Sequence, residues 1–161
     1  MAKVVQVEER VIVQPWWGKL KIVWTGLGLG VLWWLLASLL KQYVVEPLAC
    51  RDLATASACV DSFGVAGSVA AIIVAIIGAL VLVRALQPRP IVIALASAVV
   101  LWTLGSYLSG LSWWETLLWA VFFYGVTYVL FSLVARIRNT VPALVVAVVI
   151  VIAIRLILTL L

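Results

Sequence analysis

Five stretches of this chain, each about 20 residues long, are almost free of charge, and a bilayer is the solvent such stretches require. They cover residues 20–43, 64–83, 91–110, 113–135 and 141–161. At about 1.5 Å rise per residue, an apolar helix of this length crosses the roughly 30 Å hydrocarbon layer. An open strand would leave its N–H and C=O groups facing lipid, where no water satisfies them. The expected fold is an all-α integral membrane protein, a bundle of five transmembrane helices. Residues 1–19 read as a cytoplasmic N-terminal segment and residues 20–161 as a single transmembrane domain. Residues 44–63 form the one connection long enough to hold structure of its own.

Charge orients the bundle. With the N-terminus inside, Lys3, Arg10, Lys19, Lys21, Arg84, Arg89, Arg136 and Arg138 all fall on the cytoplasmic side. Outside fall Lys41, Arg51 and Arg155, together with Glu46, Asp52, Asp61 and Glu115. Short loops rich in Lys and Arg stay inside, so the expected topology is N-in and C-out, in a plasma (inner) membrane, with loop 44–63 outside. The same scatter weighs against a nucleic-acid surface despite a net charge of +5, because the cations sit in small groups at helix ends. Glu8 and Glu9, and the length of the first apolar run, weigh against a removable signal peptide.

The connections carry helix punctuation. Gln87-Pro88-Arg89-Pro90 breaks between the second and third runs, since proline cannot continue a helix. Asn139-Thr140 ahead of Pro142 reads as a cap followed by a first-turn proline, and Asp61-Ser62 as a second cap. Trp16-Trp17 and Trp113-Trp114 suit aromatic belts at the two interfaces.

Within the runs, small residues mark where helices approach closely. Gly67, Ala71, Ala75 and Ala79 recur every four residues, Gly26 and Gly30 make one such step, and Ala94 and Ala98 another. The pattern serves packing within one chain or contact with a second subunit, and spacing alone does not separate the two. Trp33-Trp34 at mid-depth is too deep for a belt and is expected to fill gaps between helices, a lipid or pigment platform being the alternative. Tyr124, Thr127, Tyr128 and Ser132 share one helix face, and Thr103, Ser106 and Tyr107 form a second polar group. Such groups ordinarily bond neighbouring helices. The sharper reading is a polar cavity at Tyr124, Thr127 and Tyr128.

Arg155 is the one charge well inside an expected span, about 21 Å along its helix from Val141. It either snorkels to the headgroups, the slightly favoured reading, or pairs with Glu115 at the outer rim. Cys50 and Cys59 both lie in loop 44–63, on the oxidising side of the expected topology, and are expected to form a disulfide stapling that loop. Their spacing is not Cys-x-x-Cys, so redox chemistry has weak support.

The chain holds no histidine, which removes the usual general base and the commonest metal ligand. Every Asp and Glu sits in a tail, a loop or at a helix end, where no intramembrane proton relay is built. Gly26-Leu27-Gly28-Leu29-Gly30 lacks the strand–turn–helix setting of a nucleotide loop. No catalytic residue, metal or cofactor is expected, and the partners are the bilayer and either other membrane subunits or a further copy of the chain. Two functions follow. The first is a non-catalytic accessory subunit packed within a larger membrane assembly, gripping cytoplasmic partners through Met1–Lys21. The second is a small homo-oligomeric channel or transporter for a neutral or lipidic solute.

Overall fold

A computed structural model describes residues 16–49, 61–84, 90–135 and 140–160. The described residues are almost wholly helical and contain no strand. Trp16–Leu40 is α1, which runs on through a π-helical turn, Lys41–Val45, into the short α2, Glu46–Ala49. Then follow α3 (Ser62–Arg84), α4 (Pro90–Leu101), α5 (Leu104–Leu108), α6 (Trp113–Val134) and α7 (Thr140–Leu160). Three stretches, Leu20–Leu48, Ser62–Arg84 and Trp113–Val134, are long and apolar enough to cross a membrane.

Two boundaries differ from the sequence expectation. The first helical stretch does not stop at Tyr43 but continues to Ala49, carrying polar Lys41, Gln42 and Glu46 with it. Pro47 explains the π turn: it has no N–H for the ladder and its ring crowds the carbonyl four residues back. The ladder widens just before it, and the Glu46 N–H donates to the Lys41 carbonyl.

The run 91–110 is not one helix. It breaks at Trp102-Thr103, where Thr103 takes φ −97° and ψ 9°, and resumes as α5. Ser68 on α3 compensates part of the break: its hydroxyl, 3.0 Å from the Gly64 carbonyl of its own helix, shares its one hydrogen with the Trp102 carbonyl at 3.1 Å. A backbone group freed inside an apolar bundle needs such a partner. The redirected chain lays Gly105 against α3, where a Cβ at Gly105 would meet the Phe63 carbonyl oxygen at 2.7 Å and Gly64 Cα at 3.1 Å. Gly110, with φ +94°, ends the segment in a conformation that glycine adopts freely.

α1 is the hub. Its most extensive partner is α6, followed by α3. Gly26 and Gly30 make this seat: a Cβ on Gly26 would lie 3.1 Å from Gly125 Cα, and one on Gly30 would lie 2.6 Å from Val121 Cα. Close backbone approach replaces the hydrophobic drive that lipid does not supply. Trp33 fills the centre, fully buried, and its indole N–H donates to the Gly67 carbonyl at 2.9 Å. Around it runs an aromatic column: Phe63 edge-on at 6.0 Å, Tyr124 at 6.1 Å, and Tyr128 stacked on Tyr124 at 6.3 Å. α7 packs at the periphery on α4, with Ala143 and Ala147 turned inward and Leu144, Val145, Val149 and Ile152 outward.

Candidate functional site

The hydrogen-bonded side chains of Asp61, Ser106, Ser109, Ser112, Glu115 and Thr116 gather at one end of the bundle, where α1 ends and α3 and α6 begin. Asp61 precedes α3, and its Oδ2 accepts from the Ser106 hydroxyl at 3.1 Å. Ser112 precedes α6 and gives both its N–H, at 3.0 Å, and its hydroxyl, at 2.7 Å, to Glu115 Oε2. The Glu115 carboxylate faces the unsatisfied N–H groups of the first helical turn, a favourable place for a negative charge. Thr116 closes the turn by donating to the Ser112 carbonyl at 3.0 Å.

Between these caps and the end of α1 lies an open cleft of about 500 Å³. Ser38, Lys41, Gln42 and Glu46 line one side, and Ser62, Phe63, Ser109 and Thr116 the others. Trp34 and Trp113 meet at its edge with ring centroids 6.4 Å apart, tilted by 45°. Lys41 Nζ stands 3.7 Å from Glu46 Oε1 and 6.0 Å from the Phe63 ring centroid. On a regular α-helix, residues five apart point about 140° away from each other. The π turn reduces that divergence, so a backbone irregularity caused by Pro47 brings this charge pair together.

Three further clefts are apolar grooves on the outer surface. One, of about 280 Å³ between α3 and α4, is floored by Ala75, Ala79, Ala94 and Ala98 and walled by Ile72, Ile76, Leu95 and Trp102. Another lies between α4 and α7, and a third runs along α1 and α6 beside Gly125.

The stripe Gly67, Ala71, Ala75 and Ala79 is divided between two surfaces. Gly67 and Ala71 are buried, with Gly67 close to Trp33 and Gly105. Ala75 and Ala79 are half-buried and reach the α3–α4 groove. A four-residue repeat drifts by about 40° per step on a helix of 3.6 residues per turn, so the stripe winds from one neighbour to the next. Tyr124, Thr127 and Tyr128 are all buried, and none lines a cleft described here. The Tyr128 hydroxyl lies against Gly78 on α3. It shares with Tyr124 and Ser97 the lack of a hydrogen-bond partner among the described residues. Trp33 is core, whereas Trp34 lines the polar cleft.

Cys50 and Cys59 lie outside the described residues, as does the Arg155 side chain. The Lys41–Glu46 cleft is a site that sequence reading missed. Pro47, just after a lysine and a glutamate at the end of an apolar run, was the available sign of it. Among the described residues no group of three or more His, Cys, Asp or Glu is arranged to hold a metal ion. No family model matches the chain, and neither does any of the curated proteins or solved structures compared with it.

Proposed function

We propose that the chain is a non-catalytic accessory subunit that packs within a larger membrane assembly through the α3–α4 surface. The observation that supports this reading is the groove floored by Ala75, Ala79, Ala94 and Ala98 on the outside of the bundle. Its walls are exposed Ile72, Ile76 and Leu95, so a second helix laid there meets small residues beneath and branched side chains at either side. In this reading the N-terminus is cytoplasmic, five segments cross a plasma membrane, Cys50 and Cys59 form a disulfide outside, and Arg155 either snorkels to the outer headgroups or pairs with Glu115 at the outer rim.

The second reading, a homo-oligomeric channel or transporter for a neutral or lipidic solute, draws support from the unpartnered hydroxyls of Tyr124, Tyr128 and Ser97. Purification in mild detergent, combined with a photo-crosslinker at Ile76, separates the two. The accessory role predicts stoichiometric foreign membrane subunits crosslinked at Ile76 and lost on Ala75→Leu with Ala98→Leu. A homogeneous ring or dimer of this chain alone overturns it. The transporter reading then predicts that Thr127→Val with Tyr128→Phe abolishes solute movement, a change an accessory subunit tolerates.

A further inference from the structure

From the cleft at the α1–α2 end we infer that it binds the headgroup of a zwitterionic aminophospholipid, phosphate at Lys41 and primary ammonium at Glu46, beside the Trp34–Trp113 pair. The cleft volume of about 500 Å³ lies within the ordinary range for a ligand site, roughly 300–1,000 Å³. Its depth suits a headgroup. Lys41 directly follows the uncharged stretch Ile22–Leu40, which at about 1.5 Å per residue nearly uses up the roughly 30 Å hydrocarbon layer.

The charges present select the ligand. Four charged side chains stand at this end among the described residues: Lys41, Glu46, Asp61 and Glu115. Asp61 already receives the Ser106 hydroxyl, and Glu115 receives Ser112 twice. That leaves Lys41 and Glu46 as the addressable pair in the cleft. At 3.7 Å, with side chains 40% and 46% exposed, their mutual bond is long and wet, so little is lost when a ligand inserts across it. A zwitterion presents the complementary pair in one molecule. Three carboxylates to one ammonium repel a headgroup of net negative charge.

A primary ammonium suits Glu46 better than a trimethylated one, because its N–H groups form charge-assisted hydrogen bonds with a carboxylate. Ser38, Gln42 and Thr116 line the cleft with further polar groups, and the indoles offer π faces to the cation. Trp113 is 70% exposed, which leaves its ring available at the level where indoles favour the interface.

The test uses the full chain and native mass spectrometry after exchange into detergent carrying phosphatidylethanolamine, phosphatidylcholine or phosphatidylglycerol of identical acyl chains. Phosphatidylethanolamine is expected to be retained roughly tenfold over the other two, the equivalent of about one charge-assisted hydrogen bond. Glu46→Gln should bring phosphatidylethanolamine retention down to the phosphatidylcholine level, and Lys41→Gln, at the phosphate all three share, should lower retention of every lipid, while Arg84→Gln at the opposite end changes neither. The double exchange Lys41→Glu with Glu46→Lys keeps both charges and should retain more lipid than either single reversal, which separates lost recognition from lost folding. Soluble glycerophosphoethanolamine distinguishes the source. Displacement of the lipid at equal concentration assigns the site to the free headgroup compound, and persistence of the lipid assigns it to the membrane. Equal retention of the three lipids, selectivity unchanged in Glu46→Gln, or retention unchanged in Lys41→Gln overturns the assignment.

Discussion

At the residue scale, two glycines about 3 Å of helix apart behave oppositely for a physical reason. Gly30 faces α6 so closely that a Cβ would sit 2.6 Å from Val121 Cα and 2.9 Å from the Ala120 carbonyl oxygen, both backbone atoms that cannot rotate aside. Gly28, on the same helix, has nothing within 4 Å of such a Cβ. Gly30→Ala is therefore expected to destabilise the bundle by about 1–3 kcal/mol, the usual range for overpacking. Gly28→Ala is expected to be neutral or to stabilise by up to about 1 kcal/mol through helix propensity. Unfolding titrations in a denaturing detergent, run on the two variants side by side, check the contrast. The Gly26–Gly30 step was legible in the sequence as a packing mark. Its partner was not, because Ala120, Val121 and Gly125 on α6 follow no small-residue repeat.

At the element scale, helix existence was written in the apolar runs, but helix continuity was not. The run 91–110 carries no charge and no proline, yet the segment breaks at Trp102-Thr103, where Ser68 and Gly64 on another helix make the break tolerable. A periodicity reading sees one helix at a time and has no access to that compensation. The π turn is a different case, since Pro47 stands in the sequence and its effect on the preceding turn follows from its chemistry. Pro47→Ala is expected to restore the regular ladder and to part Lys41 from Glu46. In the parent, a double-mutant cycle of Lys41→Gln and Glu46→Gln should give a coupling of about 0.2–1 kcal/mol, as for other half-exposed pairs. In the Pro47→Ala background that coupling should vanish, and a coupling that survives would show that the side chains, not the π turn, hold the pair.

At the scale of the whole molecule, charge placement predicts a chain whose ends emerge on opposite sides of the membrane. In sealed right-side-out cells, a tag after Leu161 should be open to protease and one before Met1 protected. Cys50 and Cys59 should take up an impermeant maleimide from outside once reduced, and not before. Protection of both tags would contradict an odd number of crossings. The candidate site was only partly legible at this scale. Its charges and tryptophans are visible one by one, but they come from α1, the π turn, α2 and the start of α6, and only the fold brings them together.

The seat of α1 on α6 also has a bearing on how the molecule is made. Gly30 emerges from the ribosome about 90 residues before Val121, a gap of several seconds to some twenty seconds at about 5–20 residues per second. Throughout that interval α1 has no groove for its glycine face, and lipid or an insertion factor must shelter it. Final assembly thus waits on a late-arriving segment, which makes α6 the natural checkpoint between an inserted chain and a finished one.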